Sequence, residues 1–380
     1  MGNTIQILTP STTYIAEKSG WIEGNALLQL QNVEQLAGMK RIVGMPDLHA
    51  GRGYPVGAAF FSTGRFYPAL IGNDIGCGMS FWQTELKHHA LKLDKVERAL
   101  RRFTDQATEE WLQDHVPQTW RSHQYASSLG SIGSGNHFAE LQKVVEIFSP
   151  DFAEYGLDAK RVYLLAHSGS RGLGQAILSA HIRQFNHDGL TEGSIEAQHY
   201  LKQHHEALDY ARLNRSLIGE RILGLLRLQA IHHHFDYHHN FMEEISLSGE
   251  IGWLHRKGAS PCNGGLSIIP GSRGDYSYLV KTIENPSLLS SMAHGAGRKW
   301  MRTECQGRLV KNFSVHSLTR TALGSRVICD NKALLYEEAP EAYKPIEEII
   351  TALVKAGVIS VVAKLAPIIT LKTTGGHQCD

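Results

Sequence analysis

Residues 72–79 place a carboxylate and a thiol three positions apart in a glycine-rich stretch of this 380-residue chain. Asp74 and Cys77 are surrounded by glycines at 72, 76 and 78. Glycine permits positive φ and close backbone approach, so both side chains can turn toward one point. The plain alternative is a tight turn with an inert, buried cysteine. We interpret the segment as part of a metal site whose other ligands come from elsewhere in the chain.

Histidines supply the candidates for those ligands. The chain has 21 of them, so most must be surface or structural residues. His137 follows a glycine turn, His167 ends a predicted strand, and His239 follows an aromatic-rich segment. With Asp74 and Cys77 they make five ligands, enough for two adjacent metal ions if the thiolate bridges them. Each histidine alone is more readily structural, and only the joint pattern favours the metal site.

Four further glycine-rich segments each contain a histidine or an arginine. They lie at residues 131–137, 167–172, 270–274 and 294–298. Such loops expose successive backbone N–H groups, and with arginines beside them they suit phosphate oxygens. Several in one chain predict a polyphosphate or nucleotide substrate, although none has Walker or Rossmann spacing.

Composition narrows the class of protein. At 42% hydrophobic residues the chain can bury a full core, and its net charge of +1 provides no global field for nucleic acid, so such binding needs a local patch. The five cysteines are irregularly spaced and the N-terminus has no signal-like pattern, which predicts a reduced, cytoplasmic protein. The most apolar tract, residues 346–371, is broken by lysines, a glycine and a proline, so no membrane span is expected.

The elements that must position these residues are a mixture of helices and strands. Apolar residues at helical spacing predict helices at 96–103, 218–226 and 346–354. Short apolar runs predict strands at 56–61, 162–166, 276–283 and 358–362. Because strands and helices do not alternate regularly, we expect an α+β fold and no doubly wound parallel sheet. One domain over residues 1–380 is predicted, with a largely helical insertion at 176–235 between two β-rich parts.

Five segments resemble, in the same order, those of the RtcB RNA ligases. They are residues 45–49 (MPDLH), 74–79 (DIGCGM), 135–138 (GNHF), 167–172 (HSGSRG) and 294–298 (HGAGR). Similar stretches at 255–259 and 338–344 extend the resemblance over nearly the whole chain. It implies a single RtcB-like domain with a β-rich core and surrounding helices.

The resemblance also implies an activity. In that family a histidine attacks the α-phosphate of GTP, the guanylate passes to an RNA 3′-phosphate, and a 5′-hydroxyl end displaces GMP. This chain would then be a GTP- and manganese-dependent ligase for RNA with 3′-phosphate or 2′,3′-cyclic phosphate ends, in RNA repair or tRNA splicing, with an archease-like helper as a partner. His294 matches the nucleophile, Asp47 would orient its ring, and Arg298 would offset phosphoryl charge.

By the same resemblance Cys77 would bridge two manganese ions. Asp74 and His137 would complete the ligands of one ion, and His167 and His239 those of the other. Ligand chemistry alone does not indicate manganese, since a thiolate with imidazoles binds zinc more tightly. The manganese assignment therefore rests on the resemblance, and zinc is an expected inhibitor.

A guanylate pocket and RNA contacts are implied as well. The pocket residues would be Asn136, His137, Phe138, Glu140, His239, Asn240, Pro270, Gly271, Ser272, Arg273, Ser277, His294, Gly295, Ala296, Gly297 and Lys372. Glu140 would accept from N1 and N2 of guanine and Lys372 would donate to O6, which distinguishes GTP from ATP. RNA phosphates would be held by Arg171, Lys257, Arg298 and Arg302, although Lys257 and Arg302 are equally well explained as solvated surface cations.

Two other functions explain part of the pattern. A binuclear metallophosphodiesterase without nucleotide dependence would use the five ligands but not the segment 294–298. A non-catalytic RNA-binding accessory protein would have no need for catalytic residues, yet every catalytic position of the family is occupied here.

The chain departs from the family pattern at two places. Arg273 stands where members usually have methionine, and Met292 and Ala293 precede the catalytic histidine in place of Ser-Cys. In these motifs and in its short length the chain resembles a branch associated with a peptide-release-factor homologue and with repair of broken RNA. A spliced tRNA is therefore not the only RNA expected as substrate.

The added cation at Arg273 leads to a first prediction. We hypothesise that it contacts an RNA phosphate, so Arg273→Met is expected to lower RNA affinity and to flatten its salt dependence, because fewer counterions are released. Equilibrium RNA binding over a salt series measures both quantities. Unchanged affinity and slope would dismiss the contact.

Overall fold

The computed structural model describes residues 4–17 and 20–374. The helices in this part of the chain are α1 (Gly24–Glu34), α2 (Leu93–Leu100), α3 (Glu109–His115), α4 (Gln118–Arg121), α5 (Gly172–Phe185), α6 (Ile195–Leu226), α7 (Arg302–Leu309), α8 (Lys332–Glu337) and α9 (Ile346–Lys355). The strands are β1 (Ile5–Ile7), β2 (Thr12–Ile15), β3 (Met39–His49), β4 (Val56–Ser62), β5 (Arg65–Phe66), β6 (Gly78–Lys87), β7 (Phe138–Ile147), β8 (Arg161–Ser168), β9 (Leu190–Thr191), β10 (Ala230–His238), β11 (Asn240–Leu247), β12 (Glu250–Lys257), β13 (Ala259–Pro261), β14 (Leu266–Pro270), β15 (Ser277–Thr282), β16 (Ser291–Ala293), β17 (Arg326–Ile328) and β18 (Ile359–Leu371).

Two sheets carry most of the strands. One has the order β1-β2-β3-β4-β12-β11, and the other has the order β10-β6-β8-β7-β18-β15-β14, with β17 paired to β18. Among the described strands only β2–β3 and β17–β18 pair in parallel. The combination of largely antiparallel sheets with helices confirms the predicted α+β fold. Among the helices of residues 4–17 and 20–374, none has both the length and the apolar character of a transmembrane segment.

The predicted helices and strands are present, with differences in extent: the helix expected at 96–103, for example, ends at Leu100. The strand expected at 358–362 continues as β18 to Leu371, because its later residues pair with β7 past a register shift near Pro367. The helical stretch expected at 176–235 ends with α6, and residues 230–235 belong to β10, an edge strand of the eight-stranded sheet. The start of β10 is exposed and lacks apolar alternation, so its sequence gave no strand signal. The single-domain organisation stays a prediction.

Antiparallel register brings four chain segments to one end of the eight-stranded sheet. Gly78, the first residue of β6, pairs with Ser168 at the end of β8 and with His238 at the end of β10. Phe138, the first residue of β7, pairs with His167. Because an antiparallel strand begins where its neighbour ends, the loops beyond these residues meet at this end of the sheet.

A buried arginine of helix α6 stabilises this end of the sheet. Arg215 lies three residues before Ile218 on the same helical face, and its side chain is fully buried. Its guanidinium donates to the carboxylate of Asp236 at 2.7 and 2.6 Å. It also donates to the carbonyl oxygens of Gly76 at 2.8 Å and Ser168 at 3.0 Å. The arginine therefore joins α6 to β10, to the loop before β6 and to the end of β8.

Removing this guanidinium should destabilise the protein strongly. Arg215→Met removes the guanidinium from the carboxylate of Asp236 and from two carbonyl oxygens, so we expect the free energy of unfolding to fall by about 3–5 kcal/mol. Urea unfolding measures the change. Arg212→Met is the matched control, because Arg212 is 58% exposed and 3.9 Å from Asp236, and should cost no more than about 1 kcal/mol. Equal losses in both variants would contradict the assignment.

A candidate metal and nucleotide site

All five predicted metal ligands meet at the end of the eight-stranded sheet. The Sγ atom of Cys77 lies 3.3 Å from Nε2 of His137 and 3.1 Å from Nε2 of His167. Nε2 of His137 is 2.7 Å from Oδ2 of Asp74, and Nε2 of His167 is 3.2 Å from Nε2 of His239. The ligand atoms form two groups of three, each within 4.8 Å, and Cys77 belongs to both. The arrangement is the one expected for a bridging thiolate.

The electrostatics of these side chains suit a bound cation. Burial lowers the pKa of His167 and of His239 well below the ordinary value, so both rings are neutral. Nδ1 of His167 lies 3.1 Å from the carbonyl oxygen of Asn136; because that oxygen only accepts, Nε2 keeps its lone pair for a metal. Burial raises the pKa of the Cys77 thiol, and the charge of Asp74 raises it further. A dication at this point would counter both effects and hold the thiolate.

The donor set fits a transition metal. One thiol, three imidazoles and a carboxylate are ligands that softer divalent ions prefer, whereas calcium and magnesium favour oxygen. By the Irving–Williams order the same atoms bind zinc more tightly than manganese. The site therefore supports metal binding, and the donors by themselves do not select manganese.

His294 lies beside this cluster, immediately after β16. Its Nδ1 is 2.7 Å from Oδ2 of Asp47, and its ring centroid is 4.8 Å from that of His239. Asp47 is fully buried in β3, where pairing with β4 is interrupted between Gly44 and His49. A carboxylate accepts from Nδ1–H, which leaves the lone pair on Nε2. The pair has the geometry of an oriented nucleophile.

Two glycines allow the backbone to close around this pair. Gly297 has a φ of 72°, and a Cβ there would lie 2.3 Å from the carbonyl oxygen of Asp47. Gly258 has a φ of 61°, and a Cβ there would lie 3.0 Å from Cε1 of His294. Both positions require glycine for its conformation and for its lack of a side chain.

A cavity of about 300 Å³ opens between the cluster and His294, a size at the lower end for small-molecule sites. Most predicted site residues line it: Asp74, Cys77, Asn136, Phe138, Glu140, His167, His239, Asn240, Lys257, Pro270, Gly271, Ser272, Arg273, His294, Gly295, Ala296, Gly297, Arg298, Arg302 and Lys372. Four others stand outside its wall: Asp47, His137, Arg171 and Ser277. Arg171 donates to Ser131 at 3.1 Å, and Ser277 accepts from Gln142 at 2.8 Å.

The predicted guanine readers lie together in the wall. Glu140 is buried, accepts a hydrogen bond from Thr370, and has its pKa raised by burial to about 7. Lys372 is also buried and donates to the carbonyl oxygen of His137 at 3.0 Å. A base that donates to a carboxylate and accepts from an ammonium would complement this wall.

Glu338 is a buried carboxylate surrounded by cations. Its Oε1 is 3.1 Å from Arg298 and 3.7 Å from Arg302, and its Oε2 is 3.7 Å from Lys372. Burial opposes ionisation of Glu338, but the charges of these three cations outweigh it and lower the pKa to about 2. The wall therefore carries an excess of positive charge, which suits phosphate groups.

Arg298 is occupied within the protein. Its five N–H donors have acceptors in Glu338, Tyr343, Cys305 and the carbonyl oxygens of Trp300 and Glu337. An RNA contact would require one of these acceptors to be displaced. Arg302 has more freedom, since its side chain is 45% exposed.

Comparison with known proteins identifies the family. The sequence model described as tRNA-splicing ligase RtcB matches residues 29–122 and 97–373. The chain belongs to the RtcB family. It is 52% identical over 379 residues to the RNA-splicing ligase RtcB2 of Escherichia coli strain ATCC 25922, covering 100% of both chains. It is 29% identical to the RNA-splicing ligase RtcB of Escherichia coli K12, covering 92% of this chain and 95% of that protein. The tRNA-splicing ligase RtcB of Nanoarchaeum equitans is also 29% identical, with 92% of each chain covered.

Arg273 is the residue predicted to depart from the family pattern beside the guanylate pocket. Arg273 is buried in the cavity wall, and its Nη2 donates to the carbonyl oxygen of Leu335 at 2.8 Å. Within the described residues its Nε and Nη1 have no hydrogen-bond partner.

Lys257, another predicted RNA contact, donates to the carbonyl oxygen of Tyr54 at 3.0 Å, and burial lowers its pKa to about 8. The RNA contacts of both residues stay predictions.

Sequence reasoning assigned no role to several residues of this RtcB-family site. His49, Glu338 and Tyr343 line the cavity. All three occur in the segments 45–49 and 338–344 that carry the family resemblance. That resemblance was the available signal, because a single tyrosine or glutamate has no distinctive spacing.

Cys77 offers a direct test of the metal site. Because it is common to both ligand groups, Cys77→Ala should lower the affinity for manganese and for zinc by at least about 10-fold, a loss seen even for outer partners of metal ligands. Titration calorimetry and metal analysis after dialysis measure it. Cys262→Ala, which removes another buried thiol, should bind metal normally. Unchanged metal binding in Cys77→Ala would mean that residues 72–79 form a tight turn with an inert cysteine.

Proposed function

We propose that this member of the RtcB family is a GTP- and manganese-dependent RNA ligase. It joins RNA 3′-phosphate or 2′,3′-cyclic phosphate ends to 5′-hydroxyl ends through a guanylate on His294. The observation that supports this most is the Asp47–His294 pair, held at 2.7 Å, in a cavity that the metal-ligand cluster also lines. Oriented imidazole, candidate metal ligands and phosphate-binding cations are then the parts of a nucleotidyl transfer site.

The chain's own residues account for the first step. Asp47 holds the proton on Nδ1 of His294, so Nε2 attacks the α-phosphate of GTP. A P–N bond forms as the bond to the leaving pyrophosphate breaks. Two metal ions on the five ligands would supply positive charge to the phosphate oxygens. The positive wall around Glu338 would hold further phosphates.

Two transfers complete the reaction. An oxygen of the RNA 3′-phosphate attacks the guanylate phosphorus, and His294 leaves as a neutral ring. The 5′-hydroxyl then attacks the activated 3′-phosphate, and GMP departs as the new phosphodiester forms. A cyclic phosphate end must first be hydrolysed to the 3′-phosphate.

Nucleotide choice is assigned to the buried wall. In the ionised form Glu140 accepts from N1 and N2 of guanine, and Lys372 donates to O6. Adenine has an acceptor at N1 and a donor at the 6-position, so it would oppose the carboxylate of Glu140 with an acceptor and the ammonium of Lys372 with a donor.

The cellular setting follows from the same chemistry. The described cysteines, Cys77, Cys262, Cys305 and Cys329, are free thiols, which supports a reducing compartment, and we place the reaction in the cytoplasm. The archease-like helper and the identity of the RNA stay predictions.

The histidine adduct is the direct test. The protein is incubated with GTP labelled at the α-phosphate and manganese, and an acid-labile, alkali-stable guanylate adduct is expected. His294→Ala should lack it, while His89→Ala, which changes an exposed histidine, should retain it. Label on His294→Ala would remove that residue from its role.

Two other outcomes would favour the competing functions. Phosphodiester hydrolysis or ligation that does not depend on GTP would favour a metallophosphodiesterase. RNA binding without uptake of metal or guanylate would favour an accessory protein.

A further inference from the structure

Lys344 is a buried lysine that neither the metal cluster nor the cavity uses. Its side chain is almost fully buried, and its ammonium donates to the carbonyl oxygens of Pro46 at 3.0 Å and Leu48 at 2.8 Å. In the described part of the chain it has no carboxylate within ion-pair distance. Burial of an ammonium is unfavourable unless its N–H groups donate hydrogen bonds. Its two acceptors therefore indicate which part of the backbone Lys344 stabilises.

Those acceptors are the residues on either side of Asp47. Pairing of β3 with β4 stops at Gly44, opposite Ala58, and resumes at His49, opposite Val56. Four residues of β3 therefore face one residue of β4, and the regular ladder does not hold them. In place of strand pairing, the ammonium of Lys344 forms hydrogen bonds with two of their carbonyl oxygens.

The backbone of Lys344 reaches the loop that follows His294. Its N–H donates to the carbonyl oxygen of Gly297 at 3.0 Å. Gly297 in turn packs against the backbone of Asp47, where a Cβ would come within 2.3 Å. One residue thus joins the bulged strand of Asp47 to the loop of His294, two segments 247 positions apart.

The charges of Lys344 and Asp47 also interact. Burial lowers the pKa of Lys344 to about 8, and the charge of Asp47 opposes this shift, as do those of Glu348 and Glu23.

We propose that Lys344 is a positioning residue for guanylate transfer: it fixes the bulge that presents Asp47 to His294. The inference rests on the proposed function. Lys344 does not line the cavity, so it acts on His294 through Asp47 and not through GTP. Its loss should slow adduct formation at saturating GTP and leave the affinity for GTP unchanged.

A double-mutant cycle with Asp47 tests the inference. The rate of guanylate adduct formation is measured in single turnovers at saturating GTP for Lys344→Met, Asp47→Asn and the double variant. Lys344→Met should slow the reaction by about 10- to 100-fold, the range for partners that orient a reacting imidazole. In the Asp47→Asn background the same change should have an effect of less than about 3-fold, because coupled residues are not additive. Lys355→Met, which changes an exposed lysine of α9, should react like the wild type.

Each other outcome has a definite meaning. Equal fold-losses in both backgrounds, or a loss confined to GTP affinity, would overturn the role of Lys344 and leave the proposed function intact. Absence of any adduct in the wild type would remove the proposed function and this inference with it. If Lys344→Met does not fold, as judged by thermal melting, the same cycle is run with Lys344→Gln, which keeps an amide donor without the charge.

Discussion

The buried guanidinium of Arg215 is the interaction on which the rest of the site depends. Its acceptors lie next to three of the five candidate metal ligands: Gly76 precedes Cys77, Ser168 follows His167, and β10 with Asp236 leads to His239. The neighbouring Asn214 adds bonds to the backbone of residues 130, 131 and 169. Loops held in this way are preorganised, so a metal ion would not have to supply the energy of gathering its ligands.

The proposed nucleophile, His294, depends on a different feature of the fold. Asp47 presents its carboxylate from a strand that has left its ladder, and a strand in regular pairing would place this side chain by the pleat alone. The bulge allows the side chain of Asp47 to reach His294. The hydrogen bonds of Lys344 to this strand and to Gly297 stabilise the segment in place of strand pairing. The two sheets thus contribute separate halves of the chemistry: the eight-stranded sheet carries the ligands, and the six-stranded sheet carries the residue that orients His294.

The cavity wall between these two parts of the site carries more positive than negative charge. Glu338 is the one buried carboxylate shared by Arg298, Arg302 and Lys372 in the described structure, so positive charge remains in excess. Buried charge of one sign is unfavourable in the isolated protein and is offset when an anionic ligand enters. The same imbalance that costs stability therefore favours binding of phosphates. Within the described residues two nitrogens of Arg273 have no hydrogen-bond partner, and the charge of this arginine adds to the excess.

The sequence by itself determined the α+β class, parts of three helices and of four strands, and, through the family resemblance, the residues that meet around the cavity. The apolar pattern sufficed for α9, where it is periodic, and for β8, where it is a continuous buried run, since local burial sets it. It failed for β10, whose exposed edge has no apolar alternation, and it assigned no role to Arg215, Asn214 or Lys344. These residues acquire their meaning from carbonyl groups up to 298 positions away. Only the tertiary structure decided them, because strand register and the partners of buried donors are set by packing between distant segments and not by local propensity.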